Sequence, residues 1–126
     1  MNLFVAIKFE QRHNKELMDG LEKVLKQGGY NPYFFVKNEG YSQHGRPDFT
    51  DMISNVVDKI RENDALLIEC SQNGTGLGIE AGIAYMMGKP VYVVHRYGTR
   101  VSTTLRGLSR RVLEYKDINE IPGVFE

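Results

Sequence analysis

The sequence predicts an α/β fold: one parallel sheet of about five strands with helices on both faces. Three observations predict it. Short β-rich apolar runs alternate along the chain with stretches of helical spacing. Several of these runs, Ala65 to Ile68 above all, are continuously apolar, as strands covered on both faces are. The glycine-rich stretch from Ser71 to Glu80 falls where a strand ends and a helix begins, the edge at which parallel sheets bind ligands.

At 126 residues the chain has room for a single domain, 1–126, with a real core. Sixteen basic and sixteen acidic residues cancel, so no global charge argues for nucleic acid or a membrane surface as partner. Cys70 is the only cysteine; it excludes an intramolecular disulfide and supplies no metal-ligand spacing. No apolar run approaches a membrane span, and the N-terminus enters a strand without a signal-peptide pattern. A cytoplasmic protein is the expectation.

Taken in order, Asn2 to Ile7 is a buried first strand, and Lys8 to Asn14 is a polar loop at its carboxyl end. Asn14 is placed to cap a helix running to about Gln27, with Leu17, Leu21, Val24 and Leu25 on one face. Gly28-Gly29 ends that helix, and Tyr33 to Val36 reads as a second strand. The polar segment from Lys37 to Pro47, which holds Tyr41 and His44, has the length of a lid or binding loop. Asp48 to Glu62 returns to helical spacing through Met52, Val56 and Ile60. Ala65 to Ile68 is the third strand, and Ile79 to Met87 a helix stopped by Gly88. Pro90 to Val94 is the fourth strand; Arg96 to Arg106 is basic and hydroxyl-rich; Val112 to Tyr115 is a short fifth strand before a terminal turn. By analogy with chains of this size, the expected architecture is a flavodoxin-like or Rossmann-like three-layer sandwich.

The functional expectation centres on Ser71 to Glu80. Gly74, Gly76 and Gly78 let the backbone come close to a ligand. The following helix points free N–H groups and its positive end into the same space. Glu80 is expected in the first turn of that helix. A carboxylate there can hold a sugar hydroxyl, bind a metal, or attack an electrophilic carbon. Metal binding is the weakest of these, because no His/Asp/Glu cluster lies nearby in sequence. No Gly-Lys-Ser/Thr closes a Walker A loop, and the spacing is GxGxG rather than GxGxxG, after the third strand instead of the first.

Ala65 to Ser71, Gly76 to Ala84 and Gly88-Lys89-Pro90 together resemble the nucleoside 2-deoxyribosyltransferase family, which includes the 2-deoxynucleoside 5-monophosphate N-glycosidases. The resemblance continues through Arg100 to Gly107 and is only architectural before about Asn63. It implies a flavodoxin-like domain, usually a homodimer with shared sites, that cleaves or exchanges the N-glycosidic bond of a nucleoside or nucleotide without a cofactor or metal. Glu80 matches the family nucleophile. Gly76 and Gly78 would line the pocket with their N–H groups, and Ser71 ends the third strand beside it. Ser102 or Thr103, the latter the closer match, falls where the hydrolases place a phosphate-binding hydroxyl offered across the dimer.

Four positions depart from the family pattern. Val56 stands where a catalytic Asp is common, and Phe4 where a tyrosine is usual. Lys8 opens a segment, Lys8 to Arg12, that replaces a glycine-rich phosphate loop, and Gly74 replaces a serine. Replacement polar groups would come from Asn55, Asp58, His44 or Asp48. The alternative is a module that binds a nucleotide without turning it over, or a TIR-like domain that recognises an NAD-derived ligand.

Overall fold

The structure, a computed structural model, describes residues 1–8, 11–38 and 49–126. Strands β1 (Asn2–Ile7), β2 (Asn31–Phe34), β3 (Ala65–Glu69), β4 (Val91–Arg96) and β5 (Arg111–Tyr115) form one parallel sheet in the order β2-β1-β3-β4-β5. This is the flavodoxin-like arrangement. The central strands are buried on both faces: Leu3 to Ile7, all of β3, and Val91 to His95. Two-sided burial is the reason those runs are continuously apolar.

Alternation along β1 sorts its side chains into two cores. Leu3, Val5 and Ile7 face α1 (Gln11–Gln27) and the C-terminal 3₁₀ helix (Ile118–Phe125), meeting Met18, Leu21, Leu25, Ile121 and Val124. Phe4 and Ala6 face the opposite layer of α3 (Phe49–Glu62), α4 (Thr75–Met86) and α5 (Thr103–Leu108), meeting Val56, Ile60, Leu77, Ala81 and Ala84. The chain therefore leaves β1 toward one layer and β3 toward the other. These strands are neighbours in register from Leu3↔Ala65 to Ile7↔Glu69, so a crevice opens between their carboxyl ends.

Four boundaries differ from the sequence expectation. The first helix begins at Gln11, so Asn14 is no cap; it lies inside α1 and is buried. Cap preference is a weak local force beside the packing of Met18 and Leu21 on the sheet. β2 stops at Phe34 and the chain turns into the short helix α2 (Phe35–Asn38), with Phe34 in one core and Phe35 in the other. α4 begins at Thr75, which puts Gly76 and Gly78 in a helix and Glu80 in its second turn instead of its first. α5 was not legible in the sequence. Ser102 starts it, its Oγ accepting from the Leu105 N–H at 3.1 Å. Among the described residues, no helix is long and apolar enough to cross a membrane.

Candidate functional site

Glu80 projects from the second turn of α4 into a cavity of about 340 Å³ at the carboxyl edge of the sheet. Its walls come from Ile7 and Lys8 at the end of β1, Phe35 of α2, Met52 and Val56 of α3, and Gly76 of α4. Most of that lining is apolar. The Oε2 atom of Glu80 is buried and has no hydrogen-bond partner among the described residues. Burial disfavours the charged form and pushes the carboxyl from 4.5 up to about 7. A buried acid left unpaired in a cleft is costly to keep, and such groups concentrate at functional sites.

Beside it, between the N-terminal ends of α4 and α5, lies a second cavity of about 640 Å³. Lys8, Gly74 and Leu77 border both, so the two spaces meet along one wall. A Cβ at Gly74 would stand in ordinary van der Waals contact, 3.6 Å from Cγ and Cδ of Lys8. Gly78 and Ser102 line the second cavity, and Thr104 lines it where Thr103 does not. Thr103 is exposed.

Ser71 belongs to the other side of the sheet edge. Its backbone N–H donates to Glu69 Oε1 at 2.6 Å and its hydroxyl donates to Glu69 Oε2 at 2.8 Å. The same hydroxyl accepts from the Arg96 N–H at 2.8 Å. Tyr115 Oη donates to Glu69 Oε2 from the end of β5. Burial, and then the bond to Glu69, push the Tyr115 phenol up to about 12. The Ser71 hydroxyl is thus engaged in tying β3 to β4, and Ser71 does not line the Glu80 cavity. Sequence reasoning missed Tyr115 and the Arg96 backbone because their partners are remote in the chain.

Phe4 is a core residue rather than a site residue. It is almost wholly buried, its ring centroid 6.0 Å from that of Tyr33 and 6.2 Å from that of Phe35, and it lines none of these spaces. Phe4 lies inside β1, beneath the edge, whereas Lys8 follows the end of the strand and emerges at it. Val56, buried, contributes apolar wall where the resemblance places an Asp. Asn55 and Asp58 are exposed on α3, with Asp58 Oδ1 3.3 Å from Arg61 Nη1. His44 and Asp48 lie outside the described residues. Among the described residues, no three His, Cys, Asp or Glu side chains are grouped to hold a metal ion.

No protein-family model matches the sequence, and no curated protein matches it either. Solved structures do match. A 2-deoxyribosyltransferase from Bacillus psychrosaccharolyticus aligns with a TM-score of 0.78 and 20% identity, over 97% of this chain and 90% of that one. The Clostridium botulinum CMP N-glycosidase aligns with 0.70 and 17%, over 99% and 98%. A conserved protein from Enterococcus faecalis V583 aligns with 0.71 and 15%, over 97% and 94%. At these identities the likeness is one of fold. The resemblance to nucleoside 2-deoxyribosyltransferases read from residues 63–107 extends, as fold, over nearly the whole chain.

Proposed function

We propose that this chain cleaves or exchanges the N-glycosidic bond of a nucleoside or nucleoside 5-monophosphate, with Glu80 as the nucleophile. The observation that carries the reading is the Glu80 carboxyl: buried, unpaired, and facing a cavity at the carboxyl edge of the sheet. The fold shared with a 2-deoxyribosyltransferase and a CMP N-glycosidase supports the choice of bond.

In the reaction, an ionised Glu80 oxygen attacks the anomeric carbon. The carbon–nitrogen bond breaks, and the base leaves with the electron pair and takes a proton from solvent. Water or a second base then attacks the same carbon and frees the carboxylate. Apolar walls strip water from the attacking oxygen. The sugar lies over Glu80, while Lys8, Gly74, Gly78 and Ser102 receive the rest of the nucleotide in the adjoining cavity. A homodimer completes the reading. Ile79, Tyr85 and Met86 are exposed large apolar side chains on α4, a surface that a second copy would cover.

One observation favours the second reading, a nucleotide- or NAD-binding module without turnover. Val56 and Phe4 supply no acid or hydroxyl, so Lys8 is the one other charged side chain among the described residues lining the Glu80 cavity. The test is chromatographic: nucleosides, their 5-monophosphates and NAD are incubated with the protein and with Glu80→Gln, and released base is measured. Base release lost in the variant upholds the glycosidic reading. Thermal stabilisation by a nucleotide with no release from any compound replaces it with the binding module.

A further inference from the structure

Across the sheet edge from Glu80, on the α1 side, lies a third cavity of about 650 Å³ that takes no part in the chemistry above. Its walls include Asn14 and Leu17 of α1, Arg96 and Lys116 beyond the ends of β4 and β5, and Ile118 of the 3₁₀ helix. Ile7 and Lys8 line both it and the Glu80 cavity, so the two spaces meet at the end of β1, but neither Glu80 nor Gly74 lines it.

Asn14 is the anomaly. It is only 5% exposed, yet its Nδ2 is buried with no hydrogen-bond partner among the described residues. It caps nothing, since α1 begins a turn earlier. A leucine would fill such a position without leaving a buried donor unmatched, and an unmatched donor costs more than an ordinary hydrogen bond contributes. Glu69 already accepts from the Ser71 N–H, the Ser71 hydroxyl and the Tyr115 hydroxyl. What Asn14 lacks among the described residues is an acceptor oxygen, and the cavity it lines leaves room for one carried by a ligand.

The rest of the wall says which kind: Lys8, Arg96 and Lys116 outnumber Glu16 and Glu69, and Glu69 is already engaged. Arg96 contributes a guanidinium suited to paired oxygens. Lys116 contributes an ammonium held 4.6 Å from the Tyr97 ring centroid. Leu17 and Ile118 offer apolar surface to whatever carries the oxygens. We propose that this cavity is a second binding site, beside the Glu80 cavity, for a small oxyanion-bearing molecule whose oxygen accepts from Asn14 Nδ2 while its charge faces Arg96 and Lys116. Carboxylate and phosphate share that chemistry, and the experiment separates them.

The full chain, labelled with nitrogen-15, is titrated in parallel with inorganic phosphate and with butyrate, and the side-chain amide signals are followed. Asn14→Leu identifies the Asn14 pair by its disappearance. The expected result is a saturable shift of that pair with at least one probe, the responding probe naming the anion. Arg96→Gln weakens the binding about tenfold, and Glu80→Gln leaves it unchanged. Asn14→Leu is expected to melt no lower than the parent and to lose the binding. The proposal is overturned if neither probe gives a saturable shift of the Asn14 amide, or if the shifts centre on the Gly74 to Leu77 backbone. Parent-like binding by Asn14→Leu or Arg96→Gln overturns it equally.

Discussion

Glu69 and Glu80 belong to the same strand–turn–helix segment, and the chain treats them in opposite ways. Glu69 ends β3 almost wholly buried and accepts from Ser71 twice and from Tyr115 once. Glu80 stands in α4 with its Oε2 buried and unpaired among the described residues. Full pairing makes Glu69 a fastening: it binds the turn after β3 to the end of β5, and through Ser71 to β4. Lack of pairing leaves Glu80 with its chemistry in reserve. A buried carboxylate therefore marks a candidate site only when its partners have been counted.

Four experiments break or sharpen that contrast. The largest effect is expected for Glu80→Gln on turnover, a loss of base release of about a thousandfold or more, because no covalent intermediate can form. Single-turnover assays with the responsive nucleotide measure it; near-parental rates would move the nucleophile elsewhere. Glu69→Ala is the counterpart. It leaves the Tyr115 hydroxyl and the Ser71 groups unmatched, and a loss of about 3 kcal/mol in urea unfolding is expected. A loss no larger than that of a surface substitution would show Glu69 to be dispensable as a fastening.

The third experiment turns the raised Glu80 pKa into a stability profile. The folded-state value of about 7 lies above the ordinary 4.5, so the folded state holds the proton more tightly than the unfolded chain. Stability is then complete below about pH 4.5 and is lost as pH rises toward about 7, by up to about 3 kcal/mol. Glu80→Gln removes that slope, so the variant gains on the parent at pH 8 and not at pH 4. Parallel profiles would show that the carboxyl is not desolvated in solution. In a pH series of base release, the same group gives kcat/KM an acidic limb near 7. The smallest effect is expected for Tyr115→Phe. One hydrogen bond to Glu69 is lost at a cost of about 1 kcal/mol, read as a lowered Tm with base release retained.

The fold was legible because two-sided burial writes itself into a strand as an unbroken apolar run, as in Ala65 to Ile68, and a helix writes its own period, as in Leu17 to Leu25. Glu80 was singled out too, because the residues around it resemble a family with a nucleophile there. The partners were not. Position at the end of β3 marks Ser71 as a site residue, but its hydroxyl is shared between Glu69 and the Arg96 backbone. Phe4 was placed by the same resemblance, and its position inside a strand covered on both faces buries it in the core.

By itself the sequence determined the alternation of strands and helices, the parallel sheet that follows from it, and a carboxylate at its carboxyl edge. Only the tertiary structure decided that Glu80 is left unpaired, that Glu69 is not, and that Asn14 is turned inward from α1 instead of capping it. The physical reason is one of range. Periodicity and apolar runs are local properties that neighbouring residues carry. Desolvation and hydrogen-bond matching depend on which distant segments fold against a group, as Tyr115 does against Glu69.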